Sequence, residues 1–179
     1  MVKVLYSVTM SLDGFIAGAG GDMSWLAPHA GPDPLATEVM ERTGAILAGG
    51  RTYRGSDPNE GTDAEGAFGG AWHGPEFVLT RTPPRSPVPG VTFVTDLGRA
   101  LTAAKAAAGD GYVNVLGAAT ARACLEAGEL DEILTFVAPV LLGDGVRLFA
   151  HPGGTNVALE RIRVEHTPQA TALWFRVVR

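Results

Sequence analysis

The chain has 179 residues, 46% of them hydrophobic and 18% charged, with a formal net charge of −5. A chain of this size suits one domain, 1–179, whose core buries roughly 70% of the unfolded surface, and the composition excludes a largely disordered protein. No Lys/Arg block is present, which argues against a nucleic-acid or acidic-membrane partner; the single cysteine, Cys124, allows no intrachain disulfide.

No apolar run reaches the ~18 residues of a membrane helix, and the N-terminus lacks the pattern of a signal peptide, so a soluble cytoplasmic protein is expected. Residues 2–9 are β-branched and apolar enough for a central strand. A turn at Asp13-Gly14 opens a glycine- and alanine-rich loop that runs on to Trp25. Asp33-Pro34 is an N-cap and first-turn pair, and Leu35, Val39 and Met40 follow at helical spacing until Gly44. Residues 45–48 are a short buried strand running into Gly49-Gly50-Arg51-Thr52-Tyr53.

From 54 to 75 no periodicity survives, and glycines alternate with acidic residues; Phe68, Trp72 and His73 suit a loop folded over a pocket, against plain disorder. Residues 77–80 and 91–94 read as strands. Asp96 caps a helix with Leu97, Ala100, Leu101 and Ala104 on one side, closed by Gly109. Residues 112–116 form a buried strand that breaks at Gly117 into an alanine-rich helix ending at Gly128, with Cys124 on its core side. Residues 133–142 make a long apolar strand interrupted by Pro139, and 158–166 with 170–178 alternate as an antiparallel hairpin. Strands alternating with helices and then strands alone describe an α/β fold of three layers, with a mixed, mostly parallel central sheet and a C-terminal antiparallel hairpin.

Three strand ends offer groups that hold phosphate. Gly49-Gly50-Arg51-Thr52 brings backbone N–H groups, a guanidinium and a hydroxyl; Thr80-Arg81 brings another pair; Gly117-Ala118-Ala119-Thr120 is a helix start, where unsatisfied N–H groups carry partial positive charge. In open α/β sheets ligands collect at the carboxyl ends of strands, so three such turns together suggest a dinucleotide lying across the sheet edge. Each also has a plainer reading: Arg51 and Arg81 as surface charges, Thr52 as a helix cap. No metal-ligand pattern is present.

On Ser11-Leu12-Asp13-Gly14-Phe15-Ile16-Ala17, Gly49-Gly50-Arg51-Thr52-Tyr53, Val78-Leu79-Thr80-Arg81, Val115-Leu116-Gly117-Ala118-Ala119 and Leu130 through Gly145, the chain resembles the dihydrofolate reductase-like fold. Within that fold it is similar to the RibD C-terminal reductases of riboflavin biosynthesis and their small stand-alone relatives. The resemblance implies an NADPH-dependent reductase of a pterin-like or ribosylaminopyrimidine-like substrate, and a homodimer. By the family pattern Arg51 and Thr52 face the cofactor phosphates, Thr80 and Arg81 the ribose with its 2′-phosphate, and Gly117 to Thr120 the pyrophosphate.

Two departures stand out: Ala118 adds a Cβ where the family has glycine, and Gly50 replaces a frequent arginine. The Asp13 to Trp25 loop borders the nicotinamide in this reading. Three carboxylates are candidates for the substrate end: Asp33, also a helix N-cap; Glu38 one turn on, also a solvated position; and Asp13, also a turn former. A nucleotide-binding module without turnover and a flavin-dependent reductase remain alternative expectations.

Overall fold

The computed structural model describes residues 1–55, 57 and 59–179. The first strand, β1 (Val4–Ser11), runs two residues past the predicted end because Met10 and Ser11 continue a parallel ladder opposite Val137 and Ala138. After the Asp13-Gly14 turn comes β2 (Phe15–Ala17), in a stretch that reads as loop. It is a strand only because residues 146–147 pair with it. Two 3₁₀ turns, Ala19–Gly21 and Ser24–His29, lead to α1 (Pro34–Arg42). This helix stops before Gly44, since Thr43 already opens β3 (Thr43–Gly49). Gly44 is a strand residue for a steric reason: a Cβ there would overlap the carbonyl of Ala108.

Then follow α2 (Gly50–Tyr53), β4 (Glu76–Leu79), β5 (Val91–Val94), α3 (Leu97–Ala108), β6 (Tyr112–Leu116), α4 (Ala118–Glu126), β7 (Glu132–Ala138), β8 (Val146–Arg147), β9 (Leu159–His166) and β10 (Thr171–Val177). Asp96 caps α3 by accepting the Arg99 N–H at 2.8 Å, and Gly109 closes it with φ 59°. β7 is shorter than the predicted 133–142 because Pro139 has no N–H to give the ladder. Of the 54–75 stretch, residues 56 and 58 lie outside the described residues; 59–74 consists of turns and irregular backbone, tied to the body where Trp72 Nε1 donates to the Thr43 carbonyl at 3.0 Å.

Eight strands form one sheet in the order β5-β4-β3-β6-β1-β7-β10-β9. β10 alone runs against the other seven strands, pairing antiparallel with β7 and with β9. Val4, Tyr6, Leu47, Val113 and Val115 on one face pack against Leu101 and Ala104 of α3 and Ala121 and Cys124 of α4. Leu5, Leu134, Phe136 and Trp174 on the other pack against Leu35 and Val39 of α1. These are the three layers read from the sequence. Cys124 is fully buried, and burial pushes its thiol up to about 12, which makes it an inert core residue.

The parallel arrangement brings the carboxyl ends of β1, β3, β4, β5, β6 and β7 to one edge. Because α1, α3 and α4 each follow the reverse direction to the strand after them, their N-termini reach that edge too.

Candidate active site

At the shared edge, the turn from β3 into α2 meets the start of α4. A Cβ on Gly49 would lie 2.6 Å from Thr120 Oγ1; one on Gly50, 2.7 Å from Thr80 Oγ1; and one on Gly117 would land on Thr52 Oγ1. Three glycines thus face three threonine hydroxyls with no room for a side chain between them, and Gly117 also holds φ 96°, a backbone region that favours glycine. The α4 N-terminus has no side-chain cap, so the N–H groups of Ala118, Ala119 and Thr120 remain as donors at this edge. Ala118 and Ala119 stand on the first turn of α4, directly after Gly117.

Thr80 is buried, and its Oγ1 accepts the Thr82 N–H at 3.2 Å and Arg54 Nη1 at 3.4 Å. Arg51, Arg54 and Arg81 are exposed there, and among the described residues none of the three joins an ion pair with a carboxylate. On a chain of net charge −5, three uncompensated guanidiniums beside backbone donors form a local anion-binding field. Arg54 was not among the residues singled out from sequence. It falls where periodicity ends, and the signal that could have found it is its position one turn after Gly50.

The predicted carboxylates take different places. Asp13 Oδ1 accepts from Ser11 Oγ at 2.6 Å and from the Leu142 N–H at 3.1 Å, while Oδ2 accepts the Gly143 N–H at 2.7 Å. These bonds, the Ser11 hydroxyl first, hold its pKa down to about 2, so it stays ionised through the whole neutral range. Asp13 thereby clips the end of β1 to the 139–145 segment. Asp33 is the N-cap of α1, its Oδ1 accepting from the N–H groups of Leu35 and Ala36 at 2.9 and 3.0 Å; Oδ2 has no partner among the described residues. Glu38 faces β9, where Arg163 Nη1 donates to it at 2.7 Å and draws its pKa down. It joins α1 to the hairpin and is not gathered with the edge residues.

Trp25 lies half-buried in the Ser24–His29 turn, its ring centroid 6.3 Å from that of His29. Its indole N–H has no partner among the described residues. Along β1 Ser7 and Thr9 are only half-buried even though the strand is central in the sheet, so a cleft opens beside them. Arg147 stacks over the Phe15 ring at 4.7 Å, fastening the small β2–β8 sheet across the same end. A surface depression of about 300 Å³ lined by Leu101, Lys105 and Glu129 lies elsewhere, between α3 and the turn after α4. Among the described residues no group of three or more His, Cys, Asp or Glu is placed to hold a metal ion, and no helix is long and apolar enough to cross a membrane.

Solved structures share this architecture over essentially the whole chain. A Shewanella sp. PV-4 protein described as a riboflavin biosynthesis protein matches with TM-score 0.76 and 24% identity, covering 100% of both chains. The Thermotoga maritima diaminohydroxyphosphoribosylaminopyrimidine deaminase/5-amino-6-(5-phosphoribosylamino)uracil reductase matches at TM-score 0.70 and 18% identity; the match covers 99% of this chain and 57% of that one. The riboflavin biosynthesis reductase Rib7 of Saccharomyces cerevisiae matches at 0.64 and 15%, covering 99% and 90%. At these identities the likeness establishes the fold. No curated protein sequence matches significantly. The model of the RibD C-terminal domain matches residues 2–173, from the strand before the Asp13 clip to the closing hairpin, and the chain belongs to this family of reductases.

Proposed function

We propose that residues 1–179 act as one NADPH-dependent reductase domain for a small pterin-like or ribosylaminopyrimidine-like heterocycle, working in the cytoplasm. The observation that carries the reading is the glycine–threonine cradle beside three arginines that, among the described residues, have no carboxylate partner. Close backbone approach, open N–H donors and positive charge are what a dinucleotide diphosphate requires. Gly49, Gly50, Arg51, Thr52 and Gly117 to Thr120 would hold the pyrophosphate, and Thr80, Arg81 and Arg54 the ribose 2′-phosphate. The chemistry NADPH supplies when bound is hydride donation to the heterocycle.

The protein's part is alignment and exclusion of water. Asp13 contributes by position: its carboxylate fixes the loops that flank the ring, and its low pKa unsuits it to give up a proton. Asp33 is the carboxylate we assign to the substrate end, through the oxygen not used in capping, with Trp25 as a wall.

Titration of the purified protein with NADPH and NADH, followed by tryptophan emission and energy transfer to the nicotinamide, tests this reading. Saturable binding that favours NADPH is expected, and Arg81→Ala should weaken NADPH about tenfold while leaving NADH unchanged. Binding of neither nucleotide at millimolar concentration would remove the reductase reading; binding without turnover of any pterin or pyrimidine would favour a sensor or subunit, and a yellow protein a flavin enzyme.

We also infer a homodimer through the closing hairpin. Glu160, Arg163, Glu165 and Arg176 form ion pairs on the side of α1, whereas Leu159, Ile162 and Val164 are 44%, 41% and 50% exposed. With half-buried Leu173, Phe175 and Val177, they make the hairpin face away from α1 apolar, interrupted by exposed Arg161 opposite Phe175. A second copy covering this face would use it as the apolar centre of a contact of about 800 Å² per partner. Sedimentation equilibrium should show a dimer that Val164→Glu converts to a folded monomer; a wild-type monomer at 100 micromolar would exclude it (roughly the range below which a stable dimer assembles).

A further inference from the structure

Asn114 lies at the centre of β6, is 1% exposed, and has no hydrogen-bond partner for either Nδ2 or Oδ1 among the described residues. Buried carboxamides are nearly always satisfied, because burying their donors and acceptors unpaired works against folding. Its neighbours Val113 and Val115 fill their slots with apolar groups, and an apolar residue would serve the sheet better here as well. The fold makes no use of this amide.

Its surroundings connect it to the cleft. Leu5 of β1 and Ile46 of β3 are its register partners, so it stands on the α1 side of the sheet. The next residues of β1 on that side, Ser7 and Thr9, are half-buried and carry hydroxyls without partners among the described residues, so a polar stripe runs from Asn114 to the edge. Three residues along β6 is Gly117 of the cradle, about 10 Å away.

The 66–72 segment packs on the same face of the sheet as Asn114. Phe68 packs on the cluster that contains Leu5, and Trp72 on the cluster that contains Ile46, and Leu5 and Ile46 are the two register partners of Asn114. Phe68 is the only non-glycine among the described residues with positive φ, at 53°, and Gly66, Gly69 and Gly70 around it are positive too. A cover built from a strained residue among glycines is suited to lift.

Resting on the reductase reading above, we propose that Asn114 is the floor of the substrate pocket, uncovered when the 66–72 segment lifts. It pairs with a planar ring edge that presents an N–H donor next to a carbonyl acceptor. The carboxamide oxygen accepts from the ring N–H, and the NH₂ donates to the adjacent carbonyl oxygen. Cyclic amides such as uracils fit this edge; acceptors without a ring N–H do not.

The test uses ¹³C,¹⁵N-labelled full chain saturated with NADPH and titrated with 5,6-diaminouracil, following the Asn114 side-chain NH₂ signals, assigned in wild type by through-bond correlation to the Asn114 backbone. Saturable shifts of that pair are expected. Asn114→Leu should unfold at higher temperature than wild type, bind NADPH equally and lose at least tenfold in diaminouracil affinity. Unchanged affinity in the variant, an NH₂ pair that stays still while other signals move, or no diaminouracil binding by wild type would each overturn the proposal. The first two outcomes can be read in wild type and variant separately, so a variant that fails to fold leaves the wild-type titration to decide. Failure of NADPH binding with an intact Asn114 response would instead overturn the reductase reading alone.

Discussion

Gly117→Ala is expected to weaken NADPH binding about a hundredfold, which is about 2.7 kcal/mol, and to destabilise the fold by about 3 kcal/mol. Two costs combine. At φ 96° an alanine is strained, an effect of about 1–3 kcal/mol. Its Cβ would also fall on Thr52 Oγ1, and overpacking of that kind costs about 1–3 kcal/mol. Relief requires Thr52 or the start of α4 to move, and both belong to the cradle. Gly109→Ala separates the terms, since Gly109 has φ 59° but nothing within 4 Å of its added Cβ. With ψ −118° Gly109 lies outside the ordinary left-handed region, so that variant should lose about 1–3 kcal/mol from strain alone and keep full NADPH affinity. Urea unfolding and fluorescence titration of the two variants side by side provide the comparison. Wild-type affinity in Gly117→Ala would place the cofactor elsewhere.

Trp174→Ala should be the most damaging single truncation in the hairpin, lowering stability by about 3–5 kcal/mol. The indole is 4% exposed, packs against Leu5, Leu35, Phe136 and Tyr112, and donates from Nε1 to Glu132 Oε2 at 2.9 Å. Removing it opens a cavity between the sheet and α1. It also strips one of two partners from a carboxylate that is 2% exposed, leaving Lys3 as the other. In a chain of this size each kcal/mol is worth about 2–4 °C, so the thermal midpoint should fall by about 6–20 °C. Trp174→Phe keeps most of the volume and loses only the donor, and should fall by less than half as much. Equal losses in the two variants would show that the Glu132 bond, rather than the packing, dominates.

These predictions separate what neighbouring residues specify from what distant ones do. The α3 helix was legible because its signals are adjacent: Asp96 before it, apolar residues at helical spacing within it, Gly109 after it. The closing hairpin was legible from alternation, and β6 into α4 from an apolar run broken by glycine. The glycine and threonine positions of the cradle could likewise be named, since strand-to-glycine turns announce themselves locally.

Their meeting could not. Gly49 faces Thr120, Gly50 faces Thr80 and Gly117 faces Thr52 only because β3 lies between β4 and β6 in the sheet. Gly44 looked like a helix stop and proved to be a strand residue beneath the end of α3, and Phe15–Ala17 became a strand through a partner at 146–147. Asp13 and Glu38 looked alike as free carboxylates until Leu142 and Gly143 occupied one and Arg163 the other. Composition, periodicity and caps therefore determined the class of fold, the order of its elements and which residue types reach the sheet edge. Which of those residues are spent on holding the chain together, and which remain open to a ligand, only the tertiary structure decided, because that depends on contacts between segments far apart in sequence.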